Sequence, residues 1–158
     1  MTMNWLPAWA PNLHPLLVHF PIAWWIAAVI GDLVALAFPR AKWADTAATF
    51  LYPAGAAAAV VTYLTGRRAA ASVLVPGMAY PLVQQHWNWA LATTISFAAI
   101  AVVRMWVKRQ QPNPRGSLRV ALVVVACAAL LSLVQTGERG ARLVFERGVG
   151  VAIPSGSR

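Results

Sequence analysis

The sequence predicts an all-α integral membrane protein, a single four-helix bundle, and three observations carry that prediction. Hydrophobic residues make up 59% of the 158 and charged residues 11%, with a mean hydropathy of +0.61, too little polar material to solvate a globule of this size. Four apolar runs are each long enough to cross about 30 Å of hydrocarbon at about 1.5 Å per helical residue. The 13 Lys and Arg residues sit mainly between or beyond those runs, as they do at the flanks of spanning helices. A net charge of +9 in a soluble chain would suggest nucleic acid, but no basic face with interleaved aromatics stands on a polar helix, so no nucleic-acid partner is expected.

The spans fall at about residues 15–38, 46–66, 82–107 and 117–136, in one domain with no internal repeat and a short C-terminal tail. Residues 1–11 lack Lys and Arg, so insertion is expected to rely on the first span and not on a cleavable signal. Asn12 or His14 caps that span, Pro15 takes an early position where its missing N–H costs nothing, and Pro39 ends it. Pro21, inside it, removes the hydrogen bond to the Leu17 carbonyl and bends the axis beside His19. Pro53 does the same near the start of the second span, where Gly55 to Ala59 present a thin face for a neighbouring helix or a flat cofactor. Cys127, the only cysteine, lies in the fourth span and reads as a buried small hydrophobe. Trp5, Trp9, Trp43, Trp87, Trp89 and Trp106 fall near span ends as an aromatic belt, with Trp24 and Trp25 deeper. Glycines 137, 140, 148 and 150 are expected to fold the strip Leu143-Val144-Phe145 back over the bundle mouth.

Four crossings bring both termini to one face, shared with the loop at 67–81. Basic residues number seven on the second face (Arg40, Lys42, Arg104, Lys108, Arg109, Arg115, Arg119) and six on the first (Arg67, Arg68, Arg139, Arg142, Arg147, Arg158). Both lysines are on the second, which is read as cytoplasmic, leaving the termini periplasmic in a bacterial inner membrane.

All three histidines belong to the first face, and imidazole is retained in hydrocarbon chiefly for ligation or proton work. His14 and His19 frame the proline-bounded segment HPLLVHFP and His86 opens the third span. Five residues on a regular helix separate two side chains by about 140° and about 7.5 Å, poor geometry for sharing one small ion. His19 with His86, or His14 with His86, can instead face each other across a planar cofactor as a bis-histidine haem b requires. His86 and His19 are the preferred axial pair, with His14 a substitute or a supporting group. A copper or zinc site built from all three is the second arrangement. Arg67 and Arg139 are candidate partners for haem propionates, and Arg68, Arg142 and Arg147 suit lipid headgroups. Asp32, deep in the first span, is expected either in an ion pair with Arg104 or Arg119 or on a proton path. Only four carboxylates exist and no Ser-His-acid set is visible, so hydrolytic chemistry is not expected.

HPLLVHFP at 14–21, Asp32, Thr65-Gly66, His86 and the tail TGERGARLVFERGVGV at 136–151 together resemble the bacterial membrane family called domain of unknown function 2231. The resemblance covers nearly the whole chain and implies four membrane helices similar in pattern to the di-haem b-type cytochromes, with haem ligation by His14, His19 and His86. Three histidines allow at most one bis-histidine haem here, and Arg67-Arg68 stand where the family commonly carries an acidic residue. The expected role is an electron-transfer subunit of a larger redox membrane complex, working between a quinone or haem partner and a periplasmic carrier. The rival expectation is a non-redox accessory or assembly subunit of a respiratory or photosynthetic complex, with copper or zinc in place of haem.

Overall fold

A computed structural model describes residues 12–111 and 116–151. Trp5, Trp9, Arg115 and Arg158 lie outside the described residues. Five helices form in chain order: α1 His14–Leu17, α2 His19–Ala37, α3 Lys42–Ser72, α4 Tyr80–Gln110 after a single 3-10 turn at Gly77–Ala79, and α5 Gly116–Phe145. Together α1 and α2 make the first of four candidate spans, and each span is long and apolar enough to cross a membrane. Large apolar side chains stand outward, among them Leu16, Phe50, Val102, Val124 and Leu131, as they must where the solvent is hydrocarbon.

The helices close a ring in which α2 packs on α3, α3 on α4, α4 on α5, and α5 more sparsely back on α2. Hence α2 and α4 are diagonal, as are α3 and α5. Two contacts need glycine. A Cβ on Gly31 would sit 3.0 Å from the Ala44 carbonyl oxygen, and one on Gly55 would sit 2.5 Å from Trp25 Nε1. The thin face at Gly55 thus receives the indole of Trp25 from α2, which stacks on Phe97 from α4 at 4.2 Å between centroids. With Val29, Tyr52, Ile100 and Ala126 these form the main core.

The break between α1 and α2 follows from Pro21. Without its N–H the Leu17 carbonyl has no helical donor, and the Thr62 hydroxyl of α3 donates to that oxygen at 3.3 Å. Helix ends differ from expectation where polar residues continue a span. α3 runs on to Ser72 and α5 to Phe145, straight through Gly137 and Gly140. A mid-helix glycine costs only about 1 kcal/mol, less than leaving backbone groups unpaired at a membrane surface. The reversal comes instead at Gly148 and Gly150, with φ of 63° and 75°, and sets Val149 against Leu82, Val83 and Leu143. Leu143 is therefore a packing residue of α5 and not part of a folded-back lid. Cys127 is exposed on the outer face, not buried.

Candidate functional site

The histidine end of the bundle is built from two matching stations. His14, at the head of α1, directs Nδ1 to the backbone oxygen of Thr62 on α3 at 3.1 Å. His86, near the head of α4, directs Nδ1 to the backbone oxygen of Thr136 on α5 at 3.0 Å. A carbonyl oxygen only accepts, so in each ring Nδ1 carries the proton and Nε2 keeps its lone pair. Each ring lies over a glycine four residues beyond its threonine. A Cβ on Gly66 would come within 2.8 Å of His14 Cε1, and one on Gly140 within 3.2 Å of His86 Cε1. Helix pair α1/α2 with α3 and helix pair α4 with α5 thus repeat one motif, histidine on Thr-x3-Gly. No sequence repeat announces it, because two threonine-glycine spacings carry the whole signal.

Hydroxyls stiffen both stations. Thr65 Oγ1 donates to the Thr62 carbonyl at 3.0 Å, and Thr136 Oγ1 donates to the Ser132 carbonyl at 2.9 Å while facing the buried Thr93 hydroxyl at 2.9 Å. Around the rings the bundle interior changes character. Buried residues are missing between Ala59 and Ala69 on α3, between Val83 and Thr93 on α4, between Ala129 and Leu143 on α5, and ahead of Pro21 on α1/α2. Ten residues of helix correspond to about 15 Å, so a layer of that height contains no fully covered side chain. The main core stops below it.

His19 is not brought to the other two. Its ring is exposed and turns back to the Leu16 carbonyl of its own turn at 3.3 Å, because five residues of near-helical backbone aim it away from His14. Among the described residues no three His, Cys, Asp or Glu side chains lie together as a metal group. Arg67 rests on the Trp87 ring at 4.1 Å and Arg139 near the Trp89 ring at 5.2 Å. Arg139 also donates to the Gln135 carbonyl at 3.0 Å and meets Glu138 at 3.2 Å, while its Nε is buried without a partner. These two guanidinium groups follow Gly66 and precede Gly140 by one residue, so each flanks a station. Arg142 pairs with Glu138 on its own helix and with Glu146 just past the helix end.

At the opposite end Asp32 is 5% exposed and held by Arg104 Nη1 at 2.6 Å and the Tyr52 hydroxyl at 2.9 Å. Arg104 also reaches Asp45 at 3.0 Å, and Lys108 completes the set on Asp45. The ion pair read from the sequence is present with Arg104, and Asp45 is a member that sequence reasoning missed. A carboxylate four residues into α3, facing cations spaced four apart on α4, was the available signal.

A family model described as a predicted membrane protein (DUF2231) matches residues 10–153. No curated protein and no solved structure matches the chain. The chain belongs to that family of membrane proteins.

Proposed function

We propose that this member of the family is a b-type electron-transfer subunit holding one haem between His14 and His86. The observation that carries the reading is the pair of imidazoles from diagonal parts of the bundle. Each is fixed through Nδ1 to a backbone carbonyl, and each therefore has Nε2 free for ligation. A carbonyl behind a ligating histidine sets its tautomer, orients its ring and raises its basicity. The glycine beneath each ring lets the imidazole lie against the helix backbone, and the layer without fully covered side chains around the rings suits a flat group that needs width between helices. Haem b, when bound, supplies one-electron exchange at iron. Arg67 and Arg139 stand beside the two stations, where guanidinium forks meet carboxylates. Two imidazoles with no third donor among the described residues favour haem over zinc, which takes three or four protein ligands.

Because the stations lie at one end of the spans, a partner at that membrane surface reaches them. We assign the chain to a relay between a quinone or haem partner and a periplasmic carrier in a bacterial inner membrane. The histidine end then faces the periplasm, since Lys42 and Lys108 mark the other. The test is a reduced-minus-oxidised spectrum with porphyrin and iron assay of the purified protein. A b-type band is expected in wild type and in His19→Ala, and its loss in His14→Ala and His86→Ala. Absence of porphyrin from wild type, or equal loss in His19→Ala, rejects the assignment.

A further inference from the structure

The end of the bundle opposite the histidines carries a recess, lined by Asp32, Asp45, Arg104, Lys108, Arg119 and Leu122 among others. Its charges do not balance. Asp32 and Asp45 are both taken by Arg104, and Asp45 also by Lys108, so three cations meet two carboxylates. Arg119, entering from the first turns of α5, is the excess. The chain has only two other carboxylates, Glu138 and Glu146, and both are bound to arginines of their own segment at the far end of α5. Two donors are left over as well. Arg104, with a side chain only 10% exposed, has its Nε buried without a partner among the described residues, and the Nε of Arg119 is in the same state.

We infer that this recess binds the phosphate of an anionic group at the membrane surface, with Arg119 as its main ligand. One excess positive charge matches the single negative charge of a phosphodiester. Two unpartnered N–H groups match its acceptor oxygens, and guanidinium is the side chain best suited to that fork. A cavity of about 30 Å³ takes one end of a ligand and no more, so one or two oxygens seat while the remainder stays in the interface. Position agrees, because α2 and α5 make the sparsest contact of the ring and the recess lies at the ends of the spans where headgroups sit. The inference stands on a different end of the molecule from the haem assignment and is independent of it.

Native mass spectrometry of the full-length protein released from mixed micelles tests it, with phosphatidylglycerol and phosphatidylcholine supplied in equal amounts. Preferential retention of phosphatidylglycerol is expected, falling about tenfold in Arg119→Gln and unchanged in Arg40→Gln, a cation of the same face outside the recess. Leu122→Trp fills the recess without altering charge and is expected to lose the lipid as well, which covers the case in which Arg119→Gln fails to fold. Displacement of the lipid by millimolar inorganic phosphate would identify a free ion as the source of the same chemistry. Equal loss in Arg40→Gln and Arg119→Gln, or equal retention of the two lipids, overturns the inference.

Discussion

Removing the Asp32 carboxylate tests whether the charge cluster is a structural clamp. In Asp32→Ala the Arg104 guanidinium, 10% exposed, loses its 2.6 Å partner and keeps Asp45 at 3.0 Å, while the Tyr52 hydroxyl loses its acceptor. Breaking a buried pair by deleting one member costs about 3–5 kcal/mol, because the survivor stays charged in a poor solvent. Since Asp45 still meets Arg104, the lower figure applies, about 3 kcal/mol. Arg104→Met fits the same space without charge, and in the double variant no orphaned guanidinium remains. The double variant is then expected to cost less than the two single costs added together, with a coupling of about 2 kcal/mol. The assay is reversible unfolding in mixed micelles with rising SDS, followed by far-ultraviolet circular dichroism on the four proteins of the cycle. Strict additivity would refute the clamp. Asp32→Asn, which keeps a polar group of the same size for Tyr52, separates the clamp from a proton path. A clamp predicts lower stability with the proposed electron transfer unchanged, and a proton path predicts the reverse.

Two glycine substitutions probe ring placement. Gly66→Ala puts a methyl 2.8 Å from His14 Cε1 against 3.2 Å for Gly140→Ala at His86, so the first must push its ring off the Thr62 carbonyl. A loss of about 1 kcal/mol for the broken hydrogen bond is expected in the same unfolding assay, with a smaller loss for Gly140→Ala. Gly55→Ala meets Trp25 at 2.5 Å in the packed core and is expected to cost about 1–3 kcal/mol, with quenching of the Trp25 fluorescence contribution altered relative to wild type.

The four spans were legible because lipid exposure writes itself into composition, and a 30-residue apolar helix leaves little ambiguity. Their ends were not, since α5 passes Gly137 and Gly140 on backbone bonding that no residue type reports. The histidine end was half legible. Residue type and topology placed His14 and His86 at a common level. The choice between His14 and His19 turned on helix phase: near-helical backbone through Val18 sets the two rings about 140° apart, and the packing of α1 on α3 at Thr62 gives the inward side to His14 and leaves His19 exposed. Thr62 and Thr136 were invisible as site residues because they act through backbone oxygens, which every residue has. Asp45 was not legible as a member of the charge cluster, since its partners come from α4, 59 and 63 residues further along the chain.

The two ends of the bundle spend side chains in opposite ways. At the Asp32 end every carboxylate is matched by at least one cation, and the Trp25–Phe97–Tyr52 stack fills the space behind it. That end holds the helices at fixed spacing. At the histidine end the side chains and glycines that meet across the helices are Thr62, Gly66, His86, Thr136 and Gly140, small or polar residues that give up, in this layer, the van der Waals packing larger apolar ones would add between membrane helices. A bundle that needed only stability would fill that layer. Keeping it thin is the expected cost of holding two imidazoles with their Nε2 atoms unencumbered, and the rigid opposite end is what permits it. The same logic forecasts that filling the layer, as in Gly140→Leu beside His86, lowers the content of the proposed haem, and a variant that keeps its full haem band would break the link between the open layer and the proposed cofactor.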